Sequence, residues 1–116
     1  MDRADLEDLF APAARVEVRR MFGGHGVFDG GLMVALLLKG VIYLKCDPET
    51  APLFEAEGLE PFRYEVKGRI QAIGYRQLPE AAHDDPEVLV QWYGLARSAA
   101  LRAAARKAKT SRRVKA

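Results

Sequence analysis

The sequence is poor in the side chains on which most enzyme chemistry depends. It has no asparagine, one cysteine, two histidines, two serines and two threonines in 116 residues. The single cysteine, Cys46, excludes an intrachain disulfide, and two isolated histidines do not provide the three or four closely spaced ligands that zinc requires. We therefore expect a protein that is not an enzyme, with no catalytic residues, no metal site and no cofactor.

Features that could carry chemistry have simpler structural interpretations. Cys46 and His25 could act as a nucleophile and its base, but Cys46 ends an apolar strand, where a free cysteine is usually a small buried hydrophobe. The stretch 23–26 (Gly-Gly-His-Gly) is not followed by a helix, as a phosphate-binding loop would be, so we interpret it as a bulge or a sharp bend between strands. His83 is expected in a solvated loop.

Long hydrophobic runs are also missing. The longest, Leu32–Leu38, has seven residues, whereas a membrane-spanning helix needs about 20. Residues 1–8 are acidic and have no apolar core of the kind found in secretory signals. We expect a cytoplasmic protein that makes no contact with a membrane.

The composition is that of a single folded domain with an uneven charge distribution. Apolar residues make up 49% and charged residues 29%, which excludes a wholly disordered chain. Residues 101–116 hold seven of the 18 Lys and Arg and none of the 16 Asp and Glu, which leaves a net charge of −5 on residues 1–100. The seven are Arg102, Arg106, Lys107, Lys109, Arg112, Arg113 and Lys115.

This asymmetry divides the chain into a domain, residues 1–105, and a basic tail, residues 106–116, which we expect to be disordered. A basic appendage on an acidic body is typical of segments that bind polyanions. The seven basic residues are therefore candidates for weak, nonspecific contact with DNA or RNA. The alternative is a frayed, solubilising chain end.

Hydrophobic periodicity and turn residues predict an α+β fold. Helices are expected at about 4–14, 47–57 and 86–106, and strands at 15–21, 32–38, 41–46, 62–66 and 70–78, with 27–28 forming a hairpin with 32–38. The two later helices each begin with Asp-Pro-Glu, at Asp47 and at Asp85. The predicted order is α-β-β-β-α-β-β-α around a mainly antiparallel, five-stranded sheet.

Aromatic residues of the strands have two interpretations. The group consists of Tyr43, Phe62, Tyr64 and Tyr75. Together with nearby basic residues they would fit a sheet that stacks nucleic-acid bases. They would equally fit a core beneath the last helix, which is the commoner role for strand aromatics.

Two motifs in the middle of the chain resemble a known family. The first is 19–28, Arg-Arg-Met-Phe-Gly-Gly-His-Gly-Val-Phe, and the second is 58–64, Gly-Leu-Glu-Pro-Phe-Arg-Tyr. With the later Asp-Pro-Glu and Trp92, they resemble the N-terminal domain of the TfoX (Sxy) competence-regulator family over about residues 8–100. We interpret the motif residues as structural: Arg20, Met21, Phe22, Gly23, Gly24, Gly26, Gly58, Pro61, Phe62 and Tyr64.

The resemblance implies a fold similar to that of type III secretion chaperones and a small, non-catalytic, cytoplasmic protein. Competence members of this family are positive regulators of DNA-uptake genes that act with the cyclic-AMP receptor protein, and they carry a second, helical domain after the first. We therefore expect a regulatory or adaptor protein with a protein partner such as the transcription machinery. The alternative is a chaperone-like or homodimeric interaction module with no nucleic-acid role.

Overall fold

The six strands in the described part of the chain form one antiparallel sheet. The computed structural model describes residues 1–21 and 23–115, with side chains except those of 64–66, 69–73 and 110–115. The strand order is β1-β2-β3-β4-β6-β5. The elements are α1 (Arg3–Phe10), β1 (Glu17–Met21), β2 (Gly24–Asp29), β3 (Leu32–Leu38), β4 (Val41–Lys45), α2 (Ala51–Ala56), β5 (Pro61–Val66), β6 (Arg69–Gln77), α3 (Ala81–Asp84) and α4 (Pro86–Lys115).

The predicted fold class is confirmed, but the number of strands was wrong. The sheet has six strands rather than five, because residues 24–29 form a complete strand between β1 and β3. The sharp bend predicted in the glycine-rich stretch lies between the paired residues Met21 and Gly24. Gly24, His25 and Gly26 already lie inside β2.

Helix boundaries differ from the predicted ones for local reasons. Helix α1 ends at Phe10, two residues before Pro12, which has no backbone N–H to continue the helical hydrogen bonds. Helix α2 begins at Ala51 instead of Asp47, because Asp47 and Thr50 hydrogen-bond to each other across the preceding turn. Helix α3 was not predicted; it carries His83, which is exposed as expected but lies in a helix rather than a loop.

Helix α4 begins after Asp85 as predicted and continues beyond the predicted end. The Asp85 carboxylate accepts a hydrogen bond from the backbone N–H of Glu87, which caps the first turn. The helix reaches Lys115 instead of ending near residue 106, because residues 101–115 contain no glycine or proline and are rich in Ala, Arg and Lys. This helix differs from the expected disorder after 106, whereas the division of the chain at residue 105 stays a prediction.

The hydrophobic core lies on one face of the sheet. Directly opposed residues of neighbouring strands share a face, and one such row is Val18, Val27, Ala35 and Leu44. All four are buried and belong to the core cluster, with Leu6 and Phe10 of α1, Phe54 of α2, and Leu89, Tyr93 and Ala96 of α4. The helices therefore cover this face, and the opposite face carries none of these contacts.

Candidate interaction site

The face of the sheet away from the helices is the first candidate site. The row adjacent to the core row is Arg19, Gly26, Leu36, Tyr43 and Gln77. It lies one residue along each strand and therefore points to the opposite side of the sheet. We call this side the open face and define it by the residues Glu17, Arg19, Met21, Phe28, Leu36, Tyr43, Lys45, Phe62, Tyr75 and Gln77.

Aromatic side chains lie on the part of the open face formed by β4, β6 and β5. The Tyr43 and Phe62 rings meet edge to face with centroids 5.1 Å apart, and both side chains are half-buried. Leu36 and Tyr75 are 4% and 9% exposed, yet neither belongs to the core cluster. The expectation that these aromatics pack beneath the last helix was therefore wrong for Tyr43, Phe62 and Tyr75. The alternation of residues along each strand correctly predicted two faces of the sheet. Because both faces carry apolar residues, this alternation did not indicate which face the helices cover.

Two cations lie over aromatic rings on the open face. The Arg19 guanidinium is 4.6 Å from the centroid of Phe28, and the Lys45 ammonium is 4.9 Å from the centroid of Tyr75. Burial lowers the pKa of Lys45 and the positive charge of Arg106 lowers it further. Burial raises the pKa of the Tyr75 phenol to about 12. Arg19 is also paired with Glu17 at 3.0 Å, whereas Lys45 makes no salt bridge among the described side chains.

The glycines of the first family motif have a steric explanation. A methyl group on Gly26 would overlap the sulfur of Met21 and lie 3.0 Å from Cε1 of Phe28. On Gly24, a methyl group would overlap the backbone oxygen of Leu37. Gly24 therefore admits only glycine without movement of β2 against β3, whereas a methyl group on Gly26 requires the Met21 side chain to move. The motif therefore builds one end of the open face.

The remaining residues of this motif lie around the bend. Gly23 has a φ of +74°, Arg20 is exposed on β1 and pairs with His25, and Phe22 lies outside the described residues. Nδ1 of His25 is buried and has no hydrogen-bond partner among the described atoms. His25 lies opposite Leu37 of β3, which lies opposite Ile42 of β4, and Cys46 follows Ile42 by four residues. One strand and four residues therefore separate His25 from Cys46, and the fold does not assemble the Cys–His pair.

The second family motif shapes the connection from α2 to β5. Gly58 follows α2 with a φ of +68°, and Pro61 begins β5 opposite Arg76. The Arg76 guanidinium donates from Nη1 to the Leu59 carbonyl at 3.1 Å and from Nη2 to Glu55 at 2.9 Å. Tyr64 lies in β5 opposite Gln71, and its side chain lies outside the described residues.

An ion pair that the sequence did not reveal joins α4 to the end of β4. Arg102 donates to the Asp47 carboxylate from Nε at 2.6 Å and from Nη2 at 3.1 Å, and its Nη1 lies 3.1 Å from Glu49. The hydrogen bond from Arg102, with help from Thr50, lowers the pKa of Asp47 to about 2 despite burial. Arg102, a predicted nucleic-acid contact, is therefore engaged within the protein.

A second contact ties α4 to the turn between β2 and β3. The Tyr93 hydroxyl donates a short hydrogen bond to the carboxylate of Asp29, and Arg97 Nε lies 3.2 Å from the same oxygen. Burial raises the pKa of Tyr93 well above its usual range, and the hydrogen bond to Asp29 raises it further. These two contacts fix α4 across the sheet at separate points.

The basic end of α4 is the second candidate site. Arg106, Lys107 and Lys109 are exposed and make no salt bridge among the described side chains. Ala100 is the last residue of the helix described as buried. Arg112, Arg113 and Lys115 continue the helix, and their side chains lie outside the described residues.

In the described part of the chain, no group of three or more His, Cys, Asp and Glu side chains could hold a metal ion. A cleft of about 360 Å³ lies beside His83, Glu80 and Asp84, with no Ser, Thr, Cys or Lys among its lining residues. Within the same residues no helix is both long and apolar enough to cross a membrane.

Comparison with known proteins now gives the family. The model of the family described as TfoX N-terminal domain matches residues 8–100. The chain belongs to the TfoX N-terminal domain family. A curated relative, DNA transformation protein TfoX1 of Aliivibrio fischeri (strain ATCC 700601 / ES114), is 29% identical over 94 residues, which are 78% of this chain and 45% of that protein. The chain thus spans less than half the length of that relative.

The TfoX N-terminal domain match contains the whole sheet and excludes the basic end of α4. It stops at residue 100, before the first of the seven basic residues, Arg102. The open face and the motif residues therefore belong to the family domain. The similarity to type III secretion chaperones stays a prediction.

Proposed function

We propose that this chain is a non-enzymatic regulatory or adaptor protein of DNA transformation that acts through contacts with another protein. The observation that carries the proposal is the match to the TfoX N-terminal domain over residues 8–100. The name of the relative, DNA transformation protein TfoX1, supports a role in DNA transformation. The proposed partner belongs to the transcription machinery, and the proposed location is the cytoplasm.

The open face supports the contact with a partner protein. It combines half-buried aromatic rings at Tyr43 and Phe62 with polar and charged groups, such as Gln77 opposite Tyr43 and the Arg19–Glu17 pair on the edge strand β1. Aromatic residues and arginine are enriched in protein interfaces, and a polar rim is typical of them. The helices leave this face uncovered, so a partner has access to it.

The basic end of α4 supports a second, weaker activity, sequence-independent binding of nucleic acid. Exposed lysine and arginine side chains neutralise phosphates and release counterions, which makes such binding fall steeply with salt. Because residues 1–100 carry a net charge of −5, the general field of the domain does not attract polyanions. Any such affinity has to come from a local group of cations.

Complementation of DNA uptake tests the regulatory role. In a transformable host, the gene for this chain is deleted and then restored as wild type, Tyr43→Glu or Val90→Glu. Tyr43 lies on the open face, and Val90 is an exposed apolar residue on α4. We expect wild type and Val90→Glu to restore transformation frequency and uptake-gene transcripts, and Tyr43→Glu to fail at equal protein level. Unchanged transformation after deletion would contradict the proposal.

Electrophoretic shift assays test the basic end. Truncation after Ala100 would also remove Arg102 and its bond to Asp47, so the sharper variant neutralises only exposed cations: Arg106→Gln, Lys107→Gln and Lys109→Gln together. We expect weak binding at low salt by the wild type and clearly weaker binding by the triple variant. Equal binding by both would exclude this part of the proposal.

A further inference from the structure

The two candidate sites meet at the end of β4. Arg102 is held on Asp47, which is two residues beyond Lys45 in the chain. Arg106 follows Arg102 by about one helical turn on the same side of α4, and Lys109 follows Arg106 by three residues. The fold therefore brings the basic end of α4 to the margin of the open face where Lys45 lies.

Cations at this margin outnumber the nearby acids among the described side chains. Lys45, Arg106 and Lys109 make no salt bridge among the described side chains. The nearby carboxylates, Asp47 and Glu49, are both engaged by Arg102. Burial lowers the pKa of the Lys45 ammonium, the positive charge of Arg106 lowers it further, and the charge of Asp47 acts against both. An anion bound between Lys45 and Arg106 would relieve their repulsion.

Aromatic rings lie next to Lys45 on the open face. Tyr43 precedes Lys45 by two residues of β4, which places the two side chains about 7 Å apart along the strand. Tyr43 and Phe62 are half-buried and packed edge to face. A ring platform beside a line of cations is the combination that binds single-stranded nucleic acid.

We infer that the margin between the open face and α4 binds single-stranded nucleic acid, with phosphates at Lys45, Arg106 and Lys109 and bases stacked at Tyr43 and Phe62. The inference rests on the nucleic-acid part of the proposed function and deepens it. A single strand fits better than a duplex, since paired bases have no free faces to stack on side chains. It fits better than a second copy, which would bring the unpaired Lys45 and its neighbours on α4 against cations of the same kind.

Fluorescence anisotropy with a labelled 20-nucleotide oligo(dT) and the matching dT·dA duplex tests this site. The variants of the full chain are Lys45→Gln, Lys45→Arg and Tyr43→Leu. Lys39→Gln is the matched control, because Lys39 is exposed in the turn at the other end of the β4 hairpin. Thermal unfolding monitored by circular dichroism verifies that each variant is folded.

We expect wild type to bind oligo(dT) more tightly than the duplex. Lys45→Gln should weaken binding several-fold and reduce the slope of log affinity against log salt concentration by about one. Lys45→Arg should bind with the affinity and salt dependence of wild type, and so should Lys39→Gln. Loss of stacking in Tyr43→Leu should raise the Kd by about five-fold or more.

Three results would overturn the inference. In the first, Lys45→Gln and Tyr43→Leu are folded and bind oligo(dT) like wild type, whereas neutralising Arg106, Lys107 and Lys109 abolishes binding. This result would assign the affinity to the end of α4 alone. The second is equal affinity for oligo(dT) and duplex. The third is displacement of oligo(dT) by polyglutamate at equal charge concentration, which indicates an acidic protein ligand. Each result leaves the complementation test of the regulatory role intact.

Discussion

Arg102 and Asp47 are 55 residues apart in the chain and form a two-pronged ion pair that fixes α4 to the end of β4. The Asp47 side chain is only 4% exposed, and the backbone N–H groups of Glu49 and Thr50 also donate to its carboxylate. A buried carboxylate with this many donors is stabilised as the anion. The pair connects the edge of the open face to the start of the basic end of α4.

Removal of the Asp47 charge should destabilise the protein in a way that depends on pH. The folded pKa of about 2 lies below the ordinary value of 3.8, so the carboxylate contributes stability above pH 4 and loses it as the pH falls toward 2. Asp47→Asn should therefore lower the free energy of unfolding by about 2 kcal/mol at pH 7. Urea unfolding of both proteins at several pH values between 7 and 2 measures the difference, which should shrink below pH 4.

An exposed ion pair of the same kind provides the control for Asp47. Glu17 and Arg19 lie 3.0 Å apart, and their side chains are 63% and 55% exposed. Glu17→Gln should change stability little, since exposed pairs contribute little to folding. A difference between wild type and Asp47→Asn that is the same at pH 7 and pH 2 would contradict the role assigned to the ion pair.

Tyr93→Phe should destabilise the protein at neutral pH and remove part of its alkaline sensitivity. The change removes a hydrogen bond to the Asp29 carboxylate, which contributes about 2 kcal/mol when the acceptor is charged. Because the folded pKa of Tyr93 is raised, its contribution is present below pH 10 and is lost at higher pH. Urea unfolding at pH 8 and pH 10.5 should show a smaller difference between the two proteins at the higher pH. A constant difference would contradict this account.

Alanine at two glycines should have opposite effects. Gly24→Ala places a methyl group against the Leu37 carbonyl oxygen, so strands β2 and β3 have to separate and the protein should lose several kcal/mol or fail to fold. Gly94 lies in α4 with nothing near its missing side chain, and Gly94→Ala should gain about 1 kcal/mol from helix propensity. Thermal unfolding of both variants measures the contrast. A Gly24→Ala protein as stable as wild type would show that the glycine is not required sterically.

The sequence was sufficient for the order of most elements and insufficient for the contacts that position the candidate site. Asp-Pro-Glu correctly predicted the start of α4, since the capping information is local. The Tyr93–Asp29 bond spans 64 residues and has no local signal. In β3, residues 34–37 are all buried, so hydrophobicity could not reveal which face meets the helices. Only the strand register places Tyr43 on the open face.

Arg76→Lys should loosen the connection between α2 and β5. Arg76 is 18% exposed and donates to the Leu59 carbonyl and to Glu55 from two different nitrogens, which the single ammonium of lysine does not reproduce in the same geometry. We expect a loss of about 1 kcal/mol in unfolding free energy, measured with urea. Glu55→Gln is the control: it removes only the charge of the exposed partner and should have a much smaller effect.

Hydrogen exchange tests the same contact locally. The backbone N–H of Gln77, which donates to the Glu60 carbonyl, should exchange faster in Arg76→Lys but not in Glu55→Gln. Equal exchange in the two variants would mean that the Leu59 contact does not hold this connection.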